Sequence, residues 1–138
     1  MTKLLIAISF LFLVGSPLAN AEQVFYCASE LATGIYKDNK TGKWRPAKFQ
    51  QERYTIKFND VFTELTGLDQ IASYRCESAF YNISDILVCF SLQQNGLMFQ
   101  FNKITLRFLY LATAVRGYLY DIKDSDTNVM YAGTCKKF

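Results

Sequence analysis

Apolar and polar residues alternate in short runs along most of this chain, and clusters of Asn, Asp, Gly or Lys interrupt them roughly every eight to twelve residues. A period of two in stretches rich in Phe, Tyr, Ile, Leu and Thr predicts strands. The clearest case is Arg53 to Phe58, which puts Tyr54, Ile56 and Phe58 on one face and Arg53, Thr55 and Lys57 on the other. Val24 to Ala28 and Ala32 to Tyr36 read as two further strands. Ile71 to Phe80 and Ile86 to Leu92 read as a hairpin around Asn82-Ile83-Ser84-Asp85. Asn95-Gly96 is a strong hairpin turn, and Leu97 to Phe101 and Ile104 to Leu111 continue the meander around Asn102-Lys103. Gly117 to Ile122 and Val129 to Cys135 complete about eight or nine strands. Asp60 to Gln70, with Val61, Phe62, Leu65 and Leu68 near helical spacing, admits a short helix. Successive hairpins without a long apolar helix predict an all-β fold, a small up-and-down antiparallel barrel of about eight strands, because closure removes exposed edges. A β-sandwich is the alternative.

The first residues follow a different pattern. Lys3 precedes an apolar run from Leu4 to Val14, a Gly15-Ser16-Pro17 break and Ala19-Asn20-Ala21, the layout of a secretory signal peptide cleaved after Ala21. Residues 1–21 are therefore expected to leave, and residues 22–138 to form one domain of 117 residues. The 15 basic and 12 acidic side chains become 14 and 12 once Lys3 is gone. The apolar run is shorter than the roughly 20 residues that cross a bilayer, so no transmembrane segment is expected in the mature chain. A periplasmic or secreted destination follows.

Four cysteines in an exported chain of this length predict two disulfides. The nested pairing, Cys27 with Cys135 and Cys76 with Cys89, is preferred, because the inner two sit on consecutive apolar segments able to form one hairpin. Pairing of Cys27 with Cys76 or Cys89 remains the alternative. The chain has no histidine, which removes histidine-based nucleophile activation, imidazole acid–base chemistry and mixed Cys/His zinc sites. Asp124-Ser125-Asp126-Thr127-Asn128 places oxygens at alternate positions, but Val129 and Cys135 stand where a calcium loop needs its Gly and Glu, so no metal is expected. The remaining carboxylates are scattered. The protein is expected to bind and not to catalyse, with no cofactor.

Charge is unevenly distributed. Lys37 to Lys57 holds seven basic residues against Asp38 and Glu52, a local +5 within a mature chain of +2. Tyr36, Trp44, Phe49 and Tyr54 are interleaved with those cations. The combination of charge and ring faces suits an anionic polymer, a glycan or a protein at the cell envelope, with Tyr36, Lys43, Trp44, Arg45, Lys48 and Arg53 as candidate binding residues. Nucleic acid is not the expected partner. The plainer reading is a solvated cationic hairpin whose lysines guard against edge pairing.

Gly42-Lys43-Trp44 resembles the Gly-x-Trp that opens the first barrel strand of the lipocalins, where the Trp plugs one end. That likeness implies the alternative function of a carrier enclosing a small apolar ligand. Tyr26-Cys27, Ala32-Thr33-Gly34, Phe49 with Arg53-Tyr54-Thr55-Ile56-Lys57, the central Cys pair, Phe101-Asn102-Lys103 with Leu106-Arg107-Phe108, and Gly133-Thr134-Cys135-Lys136-Lys137-Phe138 together resemble a group of short exported, disulfide-containing proteins of marine alphaproteobacteria and their phages. In architecture alone the chain is similar to small periplasmic barrels that inhibit C-type lysozymes, which implies a lysozyme-inhibitor-like protein as a further alternative.

Overall fold

The computed structural model describes residues 21–94, 96–113, 118 and 127–138. The leader expected over the first residues, Asn95, most of the Gly117–Ile122 strand and Asp124 to Asp126 lie outside them. Nine strands follow in order: β1 (Gln23–Lys37), β2 (Trp44–Lys48), β3 (Arg53–Phe58), β4 (Glu64–Thr66), β5 (Tyr74–Phe80), β6 (Ile83–Ser91), β7 (Leu97–Asn102), β8 (Arg107–Thr113) and β9 (Asn128–Lys137). All neighbouring pairs are antiparallel, and β3 through β9 pair in chain order. β1 then pairs with β9 from Phe25↔Lys137 to Ile35↔Asn128, which closes an eight-stranded barrel. β2 is a ninth strand outside the closed ring.

This layout follows from the length of β1. Fifteen residues at about 3.3 Å each reach some 50 Å, further than a small barrel is tall. One edge of β1 serves β9 along its length, while the other is divided between two partners. Its first half pairs with β3, from Gln23↔Phe58 to Ala28↔Arg53, and its second half with β2, from Thr33↔Lys48 to Lys37↔Trp44. The two strands expected at Val24–Ala28 and Ala32–Tyr36 are thus one continuous strand with a bulge between Ser29 and Leu31. The bulge frees backbone groups, and the β2–β3 link satisfies them. Gln51 Nε2 donates to the Glu30 carbonyl at 2.7 Å, and the Ser29 N–H donates to the Glu52 carbonyl at 2.9 Å. The buried Ser29 hydroxyl accepts from the Glu52 N–H at 2.7 Å. Opposite the bulge stands Gly133, where a β-carbon would lie 2.0 Å from the Ala28 carbonyl oxygen. Only glycine lets the strands approach so closely there.

The helix admitted over Asp60–Gln70 is replaced by a tight turn and β4. Asn59 Oδ1 accepts the N–H groups of Thr63 and Glu64, and Phe62 and Gly67 adopt φ of 57° and 92°, a left-handed backbone that no α-helix continues. Leu65 then enters the core as a strand residue between Phe58 and Tyr74.

Inward positions carry the core. Ile56 and Phe58 point inside, and Tyr54 packs against them, as the alternation requires. Phe25, Phe58, Phe99, Phe101 and Phe108 meet at ring centroids 5.1–6.3 Å apart and occupy the barrel centre. Both disulfides lie within this core and take the nested pairing, Cys27–Cys135 and Cys76–Cys89. Each joins directly opposite residues. The Cys76 and Cys135 N–H groups donate away from these partners, to the Thr63 and Leu106 carbonyls, so both bridges occupy the closely spaced, non-hydrogen-bonded type of strand pair.

The two bridges close loops of very different length, 108 and 13 residues. Replacing Cys27 and Cys135 together by alanine should cost about 5 kcal/mol, and replacing Cys76 and Cys89 about 3 kcal/mol, on chain-entropy grounds. Denaturant unfolding of the two double variants measures both; equal losses would contradict the assignment of the seam bridge as the larger constraint.

Candidate functional site

The basic and aromatic residues singled out from the sequence do not form one surface. Tyr36 and Arg45 are paired on one face of the β1–β2 extension, while Trp44 and Lys48, paired with Lys37 and Thr33, belong to the other. Lys43 sits in the exposed connecting turn. Asp38 organises that turn: its carboxylate accepts the Lys40 and Thr41 N–H groups and stands 3.4 Å from Arg45 Nε. The Lys40 hydrogen bond is the main reason its carboxyl lies below the usual value. Lys37 Nζ stands 6.0 Å from the centre of the Trp44 ring, which meets the Tyr118 ring edge-on at 5.2 Å. Trp44 therefore belongs to a strand outside the closed ring and does not open the first barrel strand, which corrects the position implied by the lipocalin-like Gly-x-Trp. The far edge of β2 pairs with no further strand among the described residues, and Arg45, Pro46 and Lys48 give it charge and a missing N–H.

Arg53 is elsewhere. Because Tyr54 points into the core, Arg53 points out from β3, opposite Ala28 of β1. Ala28 in turn faces Thr134 of β9, which faces Arg107 of β8. One step along the strands, Thr55, Tyr26 and Lys136 form a second row, and Val24 and Lys57 stand beyond it. The outer wall of β3, β1, β9 and β8 thus gathers Arg53, Lys57, Arg107 and Lys136 around Tyr26, whose side is 48% exposed and whose ring meets Phe138 edge-on at 5.6 Å. Lys57 Nζ is 3.3 Å from Glu22 Oε2 in an exposed ion pair.

Two clefts open on this wall. A cleft of about 420 Å³ is lined by Tyr26, Ala28, Arg53, Thr55, Thr134 and Lys136. A groove of about 550 Å³ is lined by Glu30, Leu31, Ile86, Gln100, Asn102, Thr105, Arg107, Leu109 and Ala132, among others, and it too includes Thr134. Thr134 Oγ1 donates to Glu30 Oε1 at 3.0 Å at the junction. Glu30 is the one carboxylate among the residues that line the two clefts. Chemically, the smaller cleft offers guanidinium and ammonium donors beside a phenol ring, and the larger one offers amides and hydroxyls between aliphatic walls.

Sequence reasoning found Arg53 here but missed Tyr26, Arg107, Thr134 and Lys136. A signal was present for three of them. A Cys27–Cys135 bond between antiparallel strands forces Tyr26 opposite Lys136 and Ala28 opposite Thr134, and both pairs must face outward if the cysteines face inward. Arg107 needed the β8–β9 register, which no residue pattern announces.

At the opposite end of the core from Phe25 and Phe58, four phenols converge. Tyr54 meets Tyr110 and Tyr131 at 5.7 and 6.2 Å, and the Tyr74 and Tyr110 hydroxyls are 3.4 Å apart. Burial pushes the phenols of Tyr54, Tyr74, Tyr110 and Tyr131 upward, and nearby Glu52 or Asp69 adds to the effect. Tyr74 also donates to Asp69 Oδ2 at 3.1 Å. Burial works to raise the Asp69 carboxyl, but hydrogen bonds from the Ala72 and Ile71 N–H groups and from Tyr74 outweigh it and hold it below the usual value.

No family model, no curated protein and no solved structure matches this chain.

Two pH limits follow from these groups. The four phenols favour the protonated folded state, so their stabilisation is complete below the ordinary value of 10.0 and is lost as pH rises beyond it. In an alkaline titration their tyrosinate absorbance should arrive together with loss of the β circular-dichroism signal; ionisation of all nine tyrosines with the barrel intact would contradict this packing. The lowered Asp69 acts in the other direction, stabilising above 3.8 and losing its contribution as pH falls through its folded value. Asp69→Ala should cost about 1–2 kcal/mol at neutral pH, with the deficit shrinking in acid.

Proposed function

We propose that this protein is an exported, non-catalytic binding protein that holds an anionic polymer of the cell envelope on the outer wall of β3, β1 and β9. The observation that carries the reading is the convergence of Arg53 and Lys136 on a cleft whose floor includes the half-exposed Tyr26. Cations beside a ring provide charge attraction and a stacking face in one place. Lys57 and Arg107 extend the positive field to either side. Two disulfides suit an oxidising compartment outside the cytoplasm, and periplasm or medium is the proposed location.

Lys43, Arg45 and Lys48 serve a different purpose in this reading. On β2 and the turn before it they supply general positive charge to the surface and discourage edge pairing. A carrier of apolar ligands has less support, because phenylalanine rings occupy the barrel centre where its ligand would lie.

The test is retention of the mature protein on an immobilised anionic polysaccharide. An Arg53→Glu/Lys136→Glu variant should bind at least tenfold more weakly and elute at lower salt, whereas Lys43→Glu/Arg45→Glu/Lys48→Glu should shift elution without abolishing retention. Unchanged binding by the first variant, with its circular dichroism intact, would exclude this face.

A further inference from the structure

We infer that the polymer is a linear acidic glycan lying across the strands, with a charged sugar in the Arg53–Lys136 cleft and the following sugars in the larger groove. The inference rests on the proposed binding face and adds the ligand class, its direction and its length.

Continuity carries the direction. The two clefts share Thr134, and together they run from Arg53 on β3 over β1, β9, β8 and β7 to Ile86 on β6. Six strands separated by about 4.8 Å give a track of roughly 24 Å, which accommodates an oligomer and not a single unit. The cations sit at one end of it. Arg53 and Lys136 line the smaller cleft, and Arg107 stands beside the junction, opposite Thr134.

The lining decides the class. Gln100 and Thr105 present amide and hydroxyl groups able to donate and accept, as sugar hydroxyls require, and Asn102, whose Oδ1 accepts the Ile104 and Thr105 N–H groups, offers its amide nitrogen. Leu109 and Ala132, paired across β8 and β9, form an aliphatic wall suited to the C–H face of a pyranose. Glu30, held by Thr134, accepts hydroxyl hydrogens. Of the lining residues the exposed ring is Tyr26, whereas single-stranded nucleic acid is held by successive aromatic platforms. An acidic sugar chain meets the cations, the polar groups and the aliphatic wall together; a polynucleotide finds one exposed ring to stack on, and a polyphosphate has no C–H face for the wall.

Calorimetric titration of the disulfide-intact mature protein with galacturonate disaccharide and hexasaccharide, sulfated hexasaccharides, and an oligothymidylate of matched charge tests this. The acidic hexasaccharide, carboxylated or sulfated, should bind at least tenfold more tightly than the disaccharide and than the oligothymidylate, and which of the two acids binds better identifies the anion. Ala132→Trp, which fills the groove from an outward position, should reduce the hexasaccharide to the disaccharide affinity while leaving the latter unchanged. Gln100→Ala/Thr105→Ala should do the same in part, and it carries the test if the tryptophan variant does not fold. A hexasaccharide with no advantage, or one indifferent to both groove variants, overturns the glycan track. If oligothymidylate binds as tightly and still responds to Arg53→Glu, the glycan inference falls and the anionic-polymer reading stands; if no polyanion responds to Arg53→Glu, both fall.

Discussion

Closure of β1 on β9 is the constraint from which the rest of this molecule follows. Ten register pairs, the buried Cys27–Cys135 bond and the close approach allowed by Gly133 join the two ends of the chain along one seam. A meander left open would present two long edges, and the seam removes both from the barrel. The seam also fixes parity. Once Cys27 and Cys135 face the core, Phe25 must as well, and Tyr26, Ala28, Thr134 and Lys136 are committed to the outside. Core and cleft are thus two sides of the same two strands, and a one-residue slip would exchange them.

The bulge at Ser29–Leu31 marks a change of duty within β1. Below it, the strand is part of the barrel; above it, the strand carries β2 on an extension. The Gln51 side chain donates to the Glu30 carbonyl, and the Glu52 carbonyl accepts the Ser29 N–H, so two backbone groups released at the change are paired. The same bulge sets Glu30 against Thr134 at the meeting point of the two outer clefts, where a regular strand would have kept its alternation.

Much of the fold was legible because period-two alternation and turn residues are local signals. Arg53 to Phe58 shows its two faces plainly, and the Cys76–Cys89 hairpin could be read from adjacent apolar segments. The continuity of β1 was not legible, since Thr33, Gly34 and the bulge break the alternation that identifies a strand. Nor was β4, whose three residues are too few to show a period and whose Leu65 is held by Phe58 and Tyr74 from other strands. The basic stretch from Lys37 to Lys57 looked like one surface because charge was counted along the chain. Folding sends Arg45 and Lys48 to opposite faces of β2 and Arg53 to the barrel wall. Lys136 and Arg107 join Arg53 there from the far end of the sequence, a meeting that only the registers of β8, β9 and β1 create.

The placement of Cys27–Cys135 directly behind the row of Thr55, Tyr26 and Lys136 has a consequence for when this surface exists. The spacing of that row is set by two strands whose covalent tie is made only after oxidation. A newly made, reduced chain holds every side chain of the outer wall but not the clamp that aligns them. Under oxidising conditions the bridge fixes the spacing of this outer row, whereas under reducing conditions strand pairing alone must hold it.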